Sequence, residues 1–347
     1  NIILQKSDFI LCVGTRLAIP QIGYDRDDFA RMADRWIVDI DPVELSKFAK
    51  HQWNPICQSS ETFLEQVLTE LNDLPKSDSL TQWVSNAQEI WQKLPRSKQI
   101  GAAVSSAHEV HSFDVINFLN TVLQDDAIVA TDVGAGLLTG HYALAAKGTQ
   151  RIFTSQGLGE MGFGLPAAIG AHFADPKRQL ICLNTDGAIM FNLQELQLVK
   201  HHKIPMKLFI FNNDGYTMIK TSQQNLFEAR VSGSDINSGI SFPLFSDLAK
   251  TFGFEYCLID NLSSFESTLR PALRSSEAVL IEIKMSPDQK YLPRLATSKL
   301  ADGTLVSPPL EDLDPLISIE SLRDLLGYQP HANSYRSRGL PYEQRQN

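Results

Sequence analysis

Residue types that could bind a metal ion follow two apolar runs of this sequence. Asp186 comes directly after the run LICLNT, and Asn213 lies in NNDG, directly after the run MKLFIF. A carboxylate, a carboxamide and a loop carbonyl are oxygen donors that Mg²⁺ accepts, with phosphate oxygens and water completing its octahedron. Each stretch alone is also a common turn sequence and would predict only a turn. The two together predict a magnesium site.

Small residues at two predicted helix entrances add a site for an anion. Backbone amides at a helix N-terminus attract negative charge, and small side chains leave those amides accessible. The residues concerned are Gly134, Ala135, Gly136, Gly187 and Ala188. Because these entrances flank the metal motif, we expect them to bind a diphosphate.

The elements that must position these residues alternate regularly along the chain. From residue 112 onwards, apolar runs without period-2 alternation, such as AIVATD, LICLNT, MKLFIF and AVLIEIKM, alternate with helical patterns. This order predicts the α/β fold class, with a parallel sheet flanked by helices on both faces. Ligands of such sheets bind beyond the carboxyl ends of the strands, where Asp186 and Asn213 fall.

The chain divides into four predicted segments. Residues 1–72 contain strand patterns in DFILCVGTRL and WIVDID, a polar helix-like stretch between them and a helix at 60–71, which predicts part of a Rossmann-like domain. Residues 73–111, rich in Pro, Ser and charge, are predicted to be a linker with one short helix. Residues 112–288 are the predicted cofactor-binding domain, whose first helix has Ser112 as its predicted N-cap, and residues 289–347 are a predicted C-terminal extension.

Composition argues against several classes of protein. The net charge of -9, with Lys and Arg scattered, argues against a nucleic-acid-binding surface. No apolar run is long enough to cross a membrane. The four cysteines, Cys12, Cys57, Cys182 and Cys257, form no Cys-x-x-Cys pair, and no signal peptide is recognisable. We therefore expect reduced thiols in a cytoplasmic protein.

In combination, these motifs resemble those of a known family. The run from Thr185 to Asn213 resembles the thiamin-diphosphate motif, in which Gly-Asp-Gly is followed a little under thirty residues later by Asn-Asn. GLGEMGFGLPAAIGA (157–171) and FNLQEL (191–196) are similar to the acetolactate-synthase-like branch of thiamin-diphosphate-dependent enzymes. The resemblance implies a thiamin-diphosphate-binding fold preceded by part of the family's middle domain.

The resemblance also implies roles for individual residues. Asp186 and Asn213 match the side-chain ligands of Mg²⁺, and Gly215 matches the ligand that uses its backbone carbonyl. Met161 matches the apolar residue wedged beneath the cofactor, and the carbonyl of Gly159 matches the acceptor for the cofactor's 4′-amino group. The implied cofactor-binding set is Gly134, Ala135, Gly136, Gly159, Met161, Asp186, Gly187, Ala188, Asn213, Tyr216 and Met218.

Several positions depart from the family pattern. Thr185 replaces the first Gly of the metal motif, and Ala188 stands where many relatives supply a hydroxyl to the phosphate. Ala135 and Gly136 stand where acetolactate synthases carry Gln and His, and Ser222 where they carry a Trp that shapes the substrate site. Smaller side chains open the pocket, so the departures imply a bulkier acceptor, such as a keto sugar.

The middle domain of the family binds FAD in some members, which leaves flavin open as a second cofactor. Arg16 matches a flavin-contacting Arg, and Asp39 lies at the acidic position after the next strand. Ala18 and Pro20, however, occupy positions that are polar or charged in flavin-binding relatives.

The histidines are predicted to be structural. His201 and His202 end a helix, where the dipole favours positive charge. His108, His111 and His141 belong to no motif, although His141 follows a phosphate loop and could face the cleft.

The resemblance further implies a pyrimidine-binding domain that supplies a Glu to the cofactor. No segment of this chain matches that domain, so we expect no catalytic residue here and interpret the chain as a fragment of a longer enzyme. The predicted function is thiamin-diphosphate- and Mg²⁺-dependent decarboxylation of a 2-oxo acid, most simply pyruvate, with transfer of the two-carbon unit to a carbonyl acceptor in a homodimer or tetramer. Two alternatives remain open: a non-catalytic or split-enzyme cofactor-binding module, and a simple 2-oxo acid decarboxylase or lyase.

Overall fold

The computed structural model describes residues 1–23, 25–71, 77–94, 109–155, 157–300 and 302–342. The chain forms two compact units, Asn1–Pro95 with Pro293–Asn347, and Arg96–Leu292. Strands are β1 (Phe9–Val13), β2 (Asp34–Asp39), β3 (Asn54–Cys57), β4 (Ile128–Thr131), β5 (Arg151–Phe153), β6 (Leu180–Thr185), β7 (Lys207–Asn212), β8 (Glu255–Ile259), β9 (Val279–Lys284), β10 (Ser298–Lys299) and β11 (Leu305–Val306).

Helices connect and flank these strands. The α-helices are Ile2–Gln5, Ile19–Ile22, Pro42–Ser46, Ser60–Leu71, Asp78–Lys93, Ser112–Val122, Ala135–Ala143, Gly164–Ala174, Leu196–His202, Thr217–Leu226, Phe245–Phe252, Phe265–Arg274, Ile319–Leu326 and Ala332–Arg336. Single 3₁₀ turns cover Ile189–Phe191, Leu193–Glu195 and Ile236–Ser238. In the part of the chain that the structure describes, no helix has the length and apolar character needed to cross a membrane.

The larger unit is built on a parallel sheet. Within its described residues, six strands run in the order β5-β4-β6-β7-β9-β8, and each neighbouring pair is parallel. Successive side chains of β6 enter different cores: Ile181 and Leu183 pack in one cluster, and Leu180 and Cys182 in the other. Burial on both faces explains why the strand sequences lack period-2 alternation. The predicted α/β fold with a helix-flanked parallel sheet is confirmed.

The entrance to helix Ser112–Val122 differs from its prediction. The N-cap is His111, not Ser112: the His111 imidazole Nδ1 accepts from the Phe113 amide at 3.3 Å, and Asp114 accepts from the His111 amide at 3.0 Å. The prediction was wrong because the imidazole nitrogen of His111 accepts the hydrogen bond from the helix N-terminus that a side-chain hydroxyl usually accepts.

The smaller unit contains a three-stranded parallel sheet, β1-β2-β3. Strand β3 was not predicted, and the supposed helix-like stretch between β1 and β2 contains only the turn of helix Ile19–Ile22 followed by non-helical turns. A hydrophobic cluster that includes Ile37, Phe48 and Trp53 packs against this sheet.

The C-terminal segment, predicted as an extension of its own, belongs to this smaller unit. Gln5 donates to the Glu311 carboxylate at 2.9 Å, and Arg31 pairs with the same carboxylate at 2.6 Å. Ile2 and Leu322 lie in one buried cluster, together with Ile90 of the predicted linker. These contacts join residues some 300 positions apart in sequence. The predicted linker, residues 73–111, lies partly outside the described residues, at 95–108.

Candidate active site at the carboxyl edge of the parallel sheet

Asp186 and Asn213 lie beside each other, as their positions after neighbouring strands predict. In the β6–β7 register Thr185 lies opposite Phe211, so both chains leave the sheet at the same edge. The Asp186 carboxylate accepts hydrogen bonds from the amides of Asn213 and Gly215, both at 3.1 Å, through one oxygen. Its other oxygen accepts from the Gly187 amide at 2.7 Å.

The Asp186 carboxylate has no cationic partner among these contacts. Its residue is only 2% exposed. Burial, with a smaller contribution from the charge of Asp214, raises the pKa of Asp186 to about 7, even though the amides of Gly187, Gly215 and Asn213 act in the opposite direction. A buried carboxylate with amide donors alone remains electrostatically unbalanced, and a cation placed beside it would restore the balance.

The side-chain oxygen of Asn213 is a second candidate ligand for a cation. Within the described residues, Asn213 Oδ1 is buried and has no hydrogen-bond partner, and the same holds for the Tyr291 hydroxyl. Burial and the nearby Asp186 charge raise the pKa of Tyr291, whereas the Asn213 side chain lowers it. Because an unpartnered buried oxygen is costly, the Asn213 side chain fits a metal ion better than it fits an empty core.

The donor set fits Mg²⁺ rather than a soft metal. One carboxylate, one amide oxygen and one backbone carbonyl provide hard oxygen ligands and leave coordination positions for phosphate and water. The described residues contain no group of three or more His, Cys, Asp or Glu side chains that could hold a metal ion on their own.

The small-residue loops have structural reasons for their size. A Cβ on Gly136 would lie 2.7 Å from the Leu183 carbonyl oxygen, and one on Gly134 would lie 3.0 Å from Thr185 Cγ2. The helix that begins at Ala135 thus packs closely on β6. Since packing alone explains these glycines, their size is not by itself a sign of phosphate binding.

Two of the amides predicted to face phosphate already have acceptors within the chain. The Gly187 amide donates to Asp186, and the Ala188 amide donates to the Thr185 hydroxyl at 3.2 Å. A diphosphate would therefore have to compete with the Thr185 hydroxyl for the Ala188 amide. The diphosphate-contacting role of these residues stays a prediction.

Tyr216 and Met218 follow the metal motif and lead into helix Thr217–Leu226. The Tyr216 ring covers Gly187 so closely that a Cβ there would lie 2.1 Å from Tyr216 Cε1. Met218 is 48% exposed, and the helix contains no buried residue. Ser222 is also exposed and donates to the Met218 carbonyl at 3.0 Å. This side of the site is open within the larger unit.

The segment 157–163 brings Gly159 and Met161 to the same unit. Gly159 is exposed with a φ of +66°, and its amide donates to the Ser155 carbonyl at 2.7 Å. Met161 is half-buried, and the next residue, Gly162, is buried. Asp132, at the end of β4, accepts from the Gly162 amide at 3.0 Å.

Comparison with known proteins bears on these residues directly. Residues 132–283 match the model of the family described as thiamine pyrophosphate enzyme, C-terminal TPP binding domain. The matched range begins at Asp132 and contains Asp186 and Asn213. Residues 132–283 therefore form a domain of the thiamine-pyrophosphate enzyme family, and the similarity to acetolactate synthases supports an acetolactate-synthase-like member of it.

Curated relatives extend the similarity over most of the chain. It is 27% identical over 293 residues to acetolactate synthase isozyme 1 large subunit of Escherichia coli (strain K12), covering 84% of this chain and 50% of that protein. It is 30% identical over 300 residues to the acetolactate synthase large subunit of Porphyra purpurea, covering 86% and 49%. The chain thus spans about half the length of these relatives.

The remaining histidines of this family member lie where a structural role predicts them. His201 and His202 end helix Leu196–His202 and are exposed. His111 is buried at its N-cap position, and burial lowers the pKa of His111. His141 lies in the last turn of helix Ala135–Ala143, and the partial loss of solvent around its ring lowers the pKa of His141. His108 lies outside the described residues.

The positions matched to flavin contacts lie in the smaller unit. Arg16 follows β1 and Asp39 ends β2, which are neighbouring parallel strands. The Arg16 side chain is 62% exposed and lies 3.8 Å from the Glu44 carboxylate, while Asp39 accepts from the Asp41 amide at 2.9 Å. Both side chains stay accessible at the carboxyl edge of that sheet.

A basic cleft of about 610 Å³ opens at the opposite edge of the larger sheet, near the starts of β6 and β7. Its cations include Arg178, which donates to the carbonyls of Asp126 and Thr149, and Lys207, which donates to that of Ser275 at 2.8 Å. These cations are engaged by backbone carbonyls and lie far along the strands from the metal motif, so the cleft is not the candidate active site.

Sequence reasoning missed two buried residues of the site, Asp132 and Tyr291. Asp132 follows the run AIVAT in the same way that Asp186 follows LICLNT, and this parallel could have identified it. Tyr291 offers no comparable signal, because it lies 78 residues beyond Asn213 and is brought there only by the fold.

Proposed function

We propose that this protein takes part in thiamin-diphosphate- and Mg²⁺-dependent decarboxylation of a 2-oxo acid, pyruvate in the simplest case, followed by transfer of the two-carbon unit to a carbonyl acceptor. The observation that supports this proposal best is the buried Asp186 carboxylate beside the unpartnered Asn213 oxygen, inside a thiamine-pyrophosphate-binding domain. The names of the relatives, acetolactate synthase large subunits, indicate the type of reaction.

The residues of this chain would bind and orient the cofactor. Asp186, Asn213 and the carbonyl of Gly215 would hold Mg²⁺ and, through it, the diphosphate. Met161 would pack beneath the cofactor, and the Gly159 carbonyl would accept a hydrogen bond from its amino group. Bound thiamin diphosphate supplies a carbon nucleophile and an electron sink for decarboxylation. The protein's contribution is to hold the reactive groups at fixed positions and to exclude water.

The acceptor is proposed to be larger than a second pyruvate. Ser222 is small and is exposed on a helix without buried residues. An open wall on that side leaves room for a bulky carbonyl compound such as a keto sugar. Product analysis with pyruvate alone, then with added aldehydes or keto sugars, separates carboligation from simple decarboxylation or lyase activity.

Calorimetric titration of the full chain with thiamin diphosphate tests cofactor binding. We expect binding that requires Mg²⁺ and disappears when a chelator removes the metal. Absence of any binding by a protein whose circular dichroism and cooperative melting show an intact fold would contradict the proposal.

A cofactor-binding module of a split or longer enzyme is the second candidate. The chain spans about half the length of its curated relatives, which supports the need for a further domain before turnover. If mixing with a separately produced N-terminal portion of such a relative restores turnover, the split arrangement is supported. Binding without turnover in every mixture would favour a non-catalytic module.

A homodimer or tetramer is proposed as the assembly. Large apolar side chains next to the site are exposed, with Leu158 at 84%, Met218 at 48% and Ile219 at 47%. Contiguous exposed apolar surface beside a site commonly marks a protein interface. Sedimentation of the full chain checks this, and a monomer at micromolar concentration would contradict it.

Flavin binding remains a separate proposal for the smaller unit. Arg16 and Asp39 lie beyond neighbouring parallel strands and are accessible, which supports an FAD site there. Titration with FAD, followed by visible absorbance of the gel-filtered protein, tests it. Arg16→Ala should abolish retention of the flavin, and equal retention by this variant would contradict the assignment.

A further inference from the structure

Asp132 is a carboxylate buried completely, with 0% of the residue exposed. It follows β4 directly, and its hydrogen-bond partners among the described residues do not include Asp186, Asn213 or Gly215. Four amide groups donate to it: the backbone amides of Val133 at 2.8 Å, Gly162 at 3.0 Å and Gly164 at 2.7 Å, and the Asn184 side chain at 3.3 Å. An ionised carboxylate has about four acceptor positions, so this one is saturated.

The two oxygens of Asp132 hold two points of one loop. Oδ1 accepts from Gly162, and Oδ2 accepts from Gly164, the first residue of helix Gly164–Ala174. The N-cap residue of this helix, Phe163, makes no side-chain cap hydrogen bond. Asp132 therefore caps, from 32 residues away, a helix entrance that would otherwise leave amides unsatisfied.

The loop is packed against Asp132 too closely to tolerate side chains. A Cβ on Gly164 would lie 2.8 Å from Asp132 Cβ, and a Cβ on Gly162 would lie 2.8 Å from Phe191 Cβ. The carbonyl of Gly162 accepts from the Asn192 side chain. The peptide groups on both sides of Gly162 are thus held, one by Asp132 and the other by Asn192.

Asp132 also links this loop to the strand that carries the metal motif. Asn184, which donates to Asp132, is buried in β6 two residues before Asp186. The side-chain oxygen of Asn184, Oδ1, accepts a hydrogen bond from the Thr185 amide at 2.8 Å. A continuous hydrogen-bonded path therefore runs from the loop through Asp132 to the end of β6.

We propose that Asp132 is a positioning residue that fixes the loop 157–163, and with it Gly159 and Met161, beneath the ring portion of the cofactor. The inference rests on the proposed function for the roles of Gly159 and Met161, whereas the contacts of Asp132 itself stand on the geometry. Each oxygen of the Asp132 carboxylate accepts a hydrogen bond from a backbone N–H group of the loop. An asparagine side chain cannot replace it, since the NH₂ group of asparagine would face one of these N–H donors.

Asp132→Asn is the decisive variant because it keeps the volume and removes one acceptor. Two affinities are compared, one for thiamin diphosphate and one for inorganic pyrophosphate, to separate effects on the rings of the cofactor from effects on its diphosphate. In this assignment the loop would meet the rings and not the diphosphate, so affinity for Mg²⁺ with thiamin diphosphate should fall about tenfold or more, since small displacements of positioned groups are costly. Affinity for Mg²⁺ with inorganic pyrophosphate should change less than about twofold, because the metal ligands are untouched.

A second measurement needs no cofactor. In hydrogen exchange of the apo chain, the peptide that contains Gly162 and Gly164 should exchange faster in Asp132→Asn, while peptides from β7 and β9 keep their protection. Asp126→Asn is the matched control, because it removes an exposed carboxylate from just before the same strand. It should leave both affinities and the exchange pattern unchanged.

Asn192→Ser provides a second variant should Asp132→Asn fold poorly. It releases the Gly162 carbonyl from the other side and should give the same pattern with smaller amplitude. Equal loss of both affinities, unchanged affinity for thiamin diphosphate, or unchanged exchange at Gly162 and Gly164 would each overturn the proposal. If the unmodified chain binds neither ligand, the proposed function fails, and the exchange experiment still decides whether Asp132 holds the loop.

Discussion

The Asn213 amide donates a hydrogen bond of 3.1 Å to the Asp186 carboxylate, and this bond fastens the turn after β7 to the end of β6. The Gly215 amide donates to the same oxygen, also at 3.1 Å. Asp186 therefore shapes the turn that carries the other two matched ligands before any metal binds. A site organised in this way loses little conformational entropy when the ion arrives.

Asp186→Asn should lower the affinity for Mg²⁺ and thiamin diphosphate by about 100-fold or more, which exceeds the usual cost of losing an outer partner of a metal ligand. The remaining side-chain oxygen can still accept from the Asn213 and Gly215 amides, whereas the new NH₂ group would face the Gly187 amide, so the melting temperature should fall while the fold persists. Titration calorimetry measures the affinity, and the melting temperature reports the fold.

Asp214→Asn is the matched control for that variant. Asp214 carries the same charge within the same turn, but its side chain is 61% exposed and pairs with Lys284 at 2.8 Å. An exposed pair of this kind contributes little. Affinity should change less than about twofold, and a comparable loss in both variants would assign the effect to net charge instead of ligation.

Binding of Mg²⁺ should release a proton near neutral pH. Burial raises the pKa of Asp186 to about 7 in the free protein, so much of the population carries a proton that must leave before the carboxylate binds the ion. Affinity should consequently fall about tenfold between about pH 8 and about pH 6, and level off above that range. Affinity falls as the pH is lowered because a proton on the Asp186 carboxylate competes with the metal ion below the raised pKa.

Calorimetry in buffers of different ionisation enthalpy counts the released protons. The ligand's own titration, measured without protein, is subtracted. Asp214→Asn should release somewhat fewer protons than the unmodified chain, because it removes a charge that raises the pKa of Asp186. A proton count of zero across this range would show that Asp186 is already ionised in the free protein.

The ligand edge could be inferred from sequence because parallel strands leave a sheet on the same side. Asp186 and Asn213 needed only two strand ends and one crossover for their prediction. Helix Ser60–Leu71 was likewise predicted at its observed bounds, since its apolar residues recur at helical spacing. Local patterns thus fixed the sheet and its edge.

Other elements could not be inferred because their stabilising contacts are distant or absent. Helix Thr217–Leu226 buries no residue and was not predicted. Glu311 binds Gln5 and Arg31 across about 300 residues, which no local pattern encodes. The contacts of Asp132 could not be inferred for the same reason, since three of its four donors lie 30 or more residues away.

Gly136→Ala should destabilise the larger unit by about 1–3 kcal/mol, because a Cβ there would meet the backbone carbonyl of Leu183 at 2.7 Å and the helix would have to move away from β6. Chemical denaturation of the apo chain measures this. The loss should occur without any ligand, which separates packing from phosphate binding.

Gly170→Ala is the matched substitution for comparison. Gly170 lies inside helix Gly164–Ala174, and a Cβ there would meet nothing within 4 Å. Alanine lowers the conformational entropy of the unfolded chain, so we expect a gain of about 0.5–1 kcal/mol. Similar changes for both variants would contradict the close packing of Gly136 on β6.

Arg338→Ala should destabilise the smaller unit by about 3–5 kcal/mol, because it leaves the buried Asp312 carboxylate unpaired. The pair is bidentate, at 2.6 and 2.7 Å, with the Asp312 side chain 0% exposed. Lys93→Ala breaks an exposed pair with Glu89 and should cost less than about 0.5 kcal/mol. Equal effects in denaturant titrations would show that the C-terminal segment does not hold this unit together.

The four thiols should differ widely in reactivity, although all are free. Cys57 is exposed, whereas Cys12 and Cys182 are buried. Burial raises the pKa of Cys12 to about 11, and raises that of Cys182 still further, so neither forms the reactive thiolate at neutral pH.

A disulfide reagent should therefore modify one thiol quickly in the native chain and the remainder only on unfolding. Cys57→Ser should abolish the fast phase and leave the total released on unfolding smaller by one. A fast phase that persists in this variant would mean that a second thiol is accessible, and half-buried Cys257 would be the first to examine.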